Sequence, residues 1–305
     1  MLNLLSPKIK LAIGAVIISF SGVFVKASAV APESASFFRC AFGAAAYLIF
    51  LLITKRFKIK CGRWIIFPAA AGIMFAADLF CWHQSIYFVG PGLSTLLGNF
   101  QVFLVAAAGF VLFSEKIRYQ FILSCLAAFA GLFLIIRGNI NTAGEYFIPG
   151  VILGLATSVF YAGYVILLKK SQHGKTHASV NMFIVSIVTA AVSLCYIISK
   201  GSLPHIATGK GLVFMLAYGI ICQFAAWLLI SSSLKSVKAS TAGILLILQP
   251  VFSYVWDILL FGKQTGTLEA VGAIICAAAV YAGIKYSSQT NIQRDEELSR
   301  RSSSL

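Results

Sequence analysis

The chain of 305 residues is 59% hydrophobic and only 11% charged, with a mean hydropathy of +0.91. Soluble domains carry roughly a quarter charged residues and need a polar skin, so a soluble enzyme, a nucleic-acid binder and a disordered scaffold are excluded. The net charge of +15, from 24 Lys and Arg against 9 Asp and Glu, fits cytoplasmic loops and anionic lipid headgroups rather than nucleic acid.

A helix crosses a bilayer with about 20 apolar residues. Ten such stretches follow one another, over residues 11–30, 34–54, 64–88, 92–113, 119–136, 147–168, 178–199, 211–233, 239–261 and 268–286. Short breaks such as Gly90-Pro91-Gly92 and Ser202-Leu203-Pro204 separate them, and no interval is long enough for a soluble domain. Residues 287–305 read as a disordered polar tail. Lys8, Lys10, the first apolar run and Ala27-Ser28-Ala29 imitate a cleavable signal peptide. Against that reading, the run is close to spanning length and Lys26 precedes the imitated site.

Positive charge sets the expected orientation. Eighteen Lys and Arg fall in the loops that share a side with both termini, four in the other set (Arg137, Lys200, Lys210 and Lys263), and Lys26 and Arg39 lie within helices. Both termini are therefore expected in the cytoplasm. The seven cysteines show no CxxC spacing, and most sit in apolar runs, as packing residues do.

The halves resemble each other. Gln101 leads in twelve residues to Phe113, and Gln249 leads in twelve to Phe261; Ile13-Gly14-Ala15 through Phe24 parallels Leu153-Gly154-Leu155 through Tyr164. Residues 1–140 and 141–286 then form two repeats of five helices. An odd-numbered repeat places its second copy upside down, the inverted plan of many secondary transporters.

On these residues the chain resembles the drug/metabolite transporter superfamily, in particular members with two EamA-type repeats. The points of resemblance are Phe20-Ser21-Gly22-Val23-Phe24 before Lys26, Phe37-Phe38-Arg39, Phe113-Ser114-Glu115 and Gln249-Pro250. Lys263 stands where the family usually has an acid, Val102 where a proline is common, and Phe20 where a tryptophan is usual. The resemblance implies a central cavity between the repeats, with the fifth and tenth helices at the periphery. The small-residue pairs Ala127/Gly131 and Ala279/Gly283 suit close helix approach.

Polar groups inside membrane helices are costly and point to function by default. Asp78 is expected to bind a substrate amine or take a coupling proton, with Trp82 and Ser85 on the same helix face and His83 turned away. The alternative is a structural pairing of Asp78 with Arg39 or Lys26. His83 falls about one turn from the outer surface, where it is either a gating group that titrates near neutral pH or a satisfied hydrogen-bonding residue. Lys26 and Arg39 either snorkel to the outer surface or form a basic mouth for anionic substrates. Asp257 is expected to be wetted or paired with Lys263. Gln101 and Gln249 fall near mid-helix, where two amides and the carbonyl freed by Pro250 either suit a small polar substrate or hydrogen-bond between helices. Asn99 lies two residues from Gln101 and points almost oppositely, so at most one of the two faces the cavity unless the helix is distorted. Trp227, Tyr164 and Trp256 line the path or simply pack.

HExxH, GxSxG, P-loop and metal-ligand spacings are missing from the chain. The expectation is an all-α membrane protein of ten transmembrane helices that needs no cofactor. It would act as a secondary transporter of a small metabolite, which the resemblance implies to be an amino acid or related compound, by proton-coupled efflux or facilitated exchange. Its partners would be that small molecule and the bilayer of a bacterial inner membrane, with no nucleic acid, as a monomer or homodimer. The rival is a membrane-embedded enzyme using Asp78 and His83 together on a lipid headgroup; a sensor would need a soluble output segment.

Overall fold

The computed structural model describes residues 6–57, 63–101, 103–104, 119–139, 144–171, 176–234, 246, 248–279 and 281–282. Every regular element among them is helical. In chain order they are α1 (Pro7–Ser19), α2 (Ser21–Ser28), α3 (Pro32–Ile53), α4 (Ile66–Gly98), α5 (Tyr119–Asn139), α6 (Phe147–Ser171), α7 (Ala178–Ser199) and α8 (Gly209–Ala217). A π-wound segment, π1 (Tyr218–Ala226), and α9 (Trp227–Leu234) continue α8; α10 (Leu248–Phe261) and α11 (Thr267–Ala279) follow.

The starts obey capping chemistry. Ser6 Oγ accepts the Ile9 N–H at 3.4 Å ahead of Pro7, and Thr208 Oγ1 accepts the Gly211 N–H at 3.0 Å ahead of α8. Both satisfy donors that a helix start leaves free. The α2–α3 junction is a tight turn, with Ala29 left-handed at φ 53° and Pro32 in the first turn of α3.

Among the described residues, six helical stretches are long and apolar enough to cross a membrane, and 122–135, α10 and α11 are shorter apolar helices. At 33 residues, an unbroken α4 would reach about 50 Å, well beyond the roughly 30 Å hydrocarbon layer. It is two helices in one run. Gly90 breaks it at φ 84°, ψ 161°, a conformation glycine adopts readily, and Pro91 lacks the N–H that would continue the ladder. The break falls at the boundary expected from Gly90-Pro91-Gly92.

The packing is direct helix against helix. Along its length α4 lies on α6, while α3 lies on α7 and π1, and α1 on α9 and α10. Glycines permit the closest approaches: a Cβ on Gly150 would stand 2.6 Å from Phe88 Cβ, and one on Gly154 would stand 2.6 Å from Leu97 Cδ1. This GxxxG spacing seats α6 on α4. Buried Val25, Tyr47, Phe75, Tyr164, Met182, Tyr218 and Trp227 belong to the main core. A second cluster forms where α5 meets α11. There Gly131 and Gly272 face one another, each leaving no room for a Cβ against the other's carbonyl. Of the small-residue pair Ala279/Gly283, Ala279 is buried and Gly283 lies outside the described residues.

The outer faces stay apolar: Leu126, Phe129, Phe133, Val213 and Ile274 are exposed. That surface would aggregate in water and suits lipid. The chain is a multi-pass membrane protein.

Candidate functional site

A polar network crosses the middle of the bundle. Arg39 on α3 is buried and does not snorkel or open a basic mouth. Its Nε donates to Gln223 Oε1 at 2.8 Å and its Nη1 to the Tyr218 hydroxyl at 2.6 Å. Its guanidinium also lies 5.1 Å from the Phe75 ring centroid and 4.6 Å from that of Tyr218. Gln223 Nε2 donates to Ser186 Oγ on α7 at 3.0 Å, and His83 Nε2 shares a 2.9 Å hydrogen bond with the Tyr218 hydroxyl. His83 is fully buried rather than near a wet surface. Its Nδ1 makes no hydrogen bond of normal geometry, with the Pro32 carbonyl close by.

Tyr218 and Gln223 reach the same arginine because of the π winding. Five residues apart on an α-helix they would point about 140° apart, whereas i→i+5 bonding stacks one over the other. Two glycines let π1 press against α3. A Cβ on Gly219 would stand 2.5 Å from Phe42 Cβ, and one on Gly43 would collide with the Gln223 side chain.

Asp78 is buried on α4. The ion pairs among the described residues are Lys26–Asp257 and Lys263–Glu269, so Asp78 is salt-bridged to neither Arg39 nor Lys26. Arg39, Tyr161 and Tyr164 are its electrostatic neighbours. The wall beside it is aromatic. Phe75 stacks on Tyr164 at 4.5 Å, Tyr164 stacks on Tyr161, and Trp227 meets both tyrosines edge-on. Trp227 Nε1 is buried without a partner, and Gln249 carries its amide beside the Tyr161 hydroxyl.

The remaining expected site residues divide. Gln101 is buried with Oε1 unpartnered. Asn99 is committed to its own helix, its Nδ2 donating to the Thr95 carbonyl at 2.8 Å. The helix is interrupted at residues 99–100, which removes the simple opposition of Asn99 and Gln101. Trp82 is partly buried, 5.4 Å from the His83 ring. Ser85, expected beside Asp78, donates instead to the Gly150 carbonyl at 2.8 Å. Trp256 packs on Phe20 and donates to Ser19 Oγ at 2.9 Å. Glu115 lies outside the described residues.

A second charged group lies beside the α4 break. Asp257 is neither wetted nor paired with Lys263. It accepts from Lys26 Nζ at 3.3 Å and from the Gly92 N–H at 3.3 Å. The carboxylate thereby caps the half-helix that restarts after Gly90, where free N–H groups and the helix dipole favour an anion. Lys263 instead pairs with Glu269 at 2.7 Å, which also accepts from the Tyr254 hydroxyl at 3.1 Å. A cavity of about 350 Å³ opens here, its lining including Lys26, Tyr87, Gly90, Asp257, Phe261 and Lys263.

Gln223, Tyr218, Tyr161 and Glu269 were missed by residue-by-residue reading. A lone amide in an apolar span and an acid opening the last one were the available signals; the π register leaves no mark in a 3.6-residue pattern. No group of three His, Cys, Asp or Glu that could hold a metal occurs among the described residues.

Known proteins agree with this architecture. One solved crystal structure superposes with a TM-score of 0.66 over 93% of this chain and 98% of that chain; at 14% identity the likeness carries the fold alone. The chain is 24% identical over 276 residues to "Uncharacterized transporter YwfM" of Bacillus subtilis (strain 168), covering 85% of this chain and 90% of that protein. The model of the EamA-like transporter family matches residues 7–137 and 148–282. The chain belongs to the EamA-like transporter family, and its role is transport rather than catalysis.

Proposed function

We propose that the protein is a secondary transporter that moves a small polar or amphipathic metabolite, an amino acid or a related compound, by alternating access. The observation that carries the reading is Asp78, a buried carboxylate with no ion-pair partner among the described residues, beside a wall of four aromatic rings. An unpaired acid at that depth is expensive and suits a group that takes up a proton or a substrate ammonium. Aromatic faces suit the apolar part of an amphipathic solute and add cation–π attraction.

The proposal includes ten crossings in two inverted five-helix repeats. The packing supports it, because its pairs exchange under that symmetry. α3 lies on α7 and α5 on α11, each with its own counterpart; α4 on α6 is mirrored by α1 on α9 and α10; α3 on π1 is mirrored by α4 on α7. The lysine and arginine bias supports cytoplasmic termini, and the reading places the protein in a bacterial inner membrane as a monomer or homodimer. Lys26 and Asp257, one from each half, act as the outer gate.

Counterflow in proteoliposomes tests the reading, with labelled metabolite extract outside, unlabelled extract inside and mass spectrometry as the readout. Selective uptake of one compound class is expected; no uptake by folded protein defeats it. Asp78→Asn is expected to keep counterflow and lose accumulation driven by an imposed pH gradient. Accumulation that survives the substitution removes Asp78 as the proton carrier.

A further inference from the structure

We propose that Tyr218 and Gln223, brought onto one face by π1, are positioning residues that hold the Arg39 guanidinium away from Asp78 and so keep that carboxylate open to a cation. What Asp78 is kept open for rests on the transport reading above; the holding of Arg39 does not.

Arg39 has every physical reason to pair with Asp78. Its guanidinium contacts the Phe75 ring, and Phe75 and Asp78 are three residues apart on α4, neighbours on one helix face. In a low-dielectric interior, opposite charges one turn apart attract strongly, yet the two form no ion pair. Five contacts hold the arginine back. Gln223 accepts from Nε and Tyr218 from Nη1, the Phe75 and Tyr218 rings flank the guanidinium, and the Arg39 stretch of α3 is pressed against Gly219. Each holder is itself held, Gln223 by Ser186 and Tyr218 by His83.

The winding of π1 decides the outcome. If the segment relaxed to α register, Tyr218 and Gln223 would diverge by about 140°, one of the two hydrogen bonds would be lost, and the guanidinium would turn to Asp78. Among the described residues, the other titratable groups that face Asp78 are Tyr161 and Tyr164 of α6 and Cys81 of its own helix. None of these carries a positive charge, so Arg39 is the cation whose position counts.

Dicyclohexylcarbodiimide, which modifies membrane-buried carboxyl groups that can take a proton, reads this without substrate. The full-length protein in proteoliposomes is labelled and the Asp78 peptide quantified by mass spectrometry, with Asp78→Asn as background. Wild-type protein is expected to label at Asp78. Gln223→Leu and Tyr218→Phe are each expected to lower labelling about tenfold, because a released guanidinium keeps the carboxylate ionised. Gln223→Glu retains an acceptor for Nε and is expected to restore it, as is Arg39→Met added to Gln223→Leu. The proposal is overturned if wild-type Asp78 does not label, if both single variants fold and label like wild type, or if removing Arg39 restores nothing. Labelling and transport are independent readouts, so failure of either is attributable to its own reading.

Discussion

Removing Lys26 is expected to destabilise the protein more than neutralising its partner Asp257, although the two share one ion pair. The reason is asymmetric exposure: the lysine side chain is 39% exposed and the aspartate 1%. Lys26→Ala strands a buried carboxylate with only the Gly92 N–H to satisfy it, a change worth about 3 kcal/mol, the low end of the range for breaking a buried pair. Asp257→Asn removes the charge but leaves an amide oxygen for the Gly92 N–H, while Lys26 swings into water. Screening of so exposed a lysine keeps that loss near about 1 kcal/mol. In the double variant no carboxylate is stranded, and the lost packing of Lys26 over the Phe261 ring brings the total to roughly 2 kcal/mol. The singles should therefore fail to add, by about 2 kcal/mol. Equilibrium unfolding in mixed micelles, followed by tryptophan fluorescence, measures all four proteins. Equal costs for the two singles, or additive ones, would refute the claim that Asp257 is the buried member that needs its partner.

Two glycines give further outcomes. Gly131→Val drives a branched side chain toward the Gly272 carbonyl, 2.7 Å from the Cβ position, and is expected to cost about 1–3 kcal/mol by overpacking in the same unfolding assay. An unchanged midpoint would mean that α5 and α11 do not pack there. Gly90→Ala combines a backbone at φ 84° with a Cβ only 2.6 Å from Asp257 Oδ2. A strain of about 1–3 kcal/mol is expected at this essentially glycine-only backbone, and the cost should be smaller when measured in an Asp257→Ser background; an equal cost there would place it all in the backbone.

The spans were legible because bilayer crossing is written in length and hydropathy, and the break at Gly90 because glycine and proline have few other uses inside an apolar run. Burial of Asp78 also followed from its place within a span, whereas Arg39 and His83, expected nearer the outer surface, lie deeper than their sequence positions suggested. The partners of such groups were not legible. Pairing depends on which helices touch, and the nearest-in-sequence choice, Lys263 for Asp257, lost to Lys26 across the bundle. Asn99 illustrates a second limit: a short amide has its own helix carbonyl within reach, and the Thr95 bond satisfies it without any cavity. The joint grip of Tyr218 and Gln223 was invisible for a geometric reason, since helical-face arguments assume 3.6 residues per turn and π1 does not obey it.

That winding has a consequence for how such chains diverge. A π turn accommodates surplus length within a helix, so loss of a single residue between 218 and 226 would leave hydropathy, span and the flanking turns in place while resetting which side chains share a face inside the segment. The grip on Arg39 is thus open to change by deletion as well as by substitution. A relative differing by one residue there would match this chain on both flanks and still present a different side chain to its arginine.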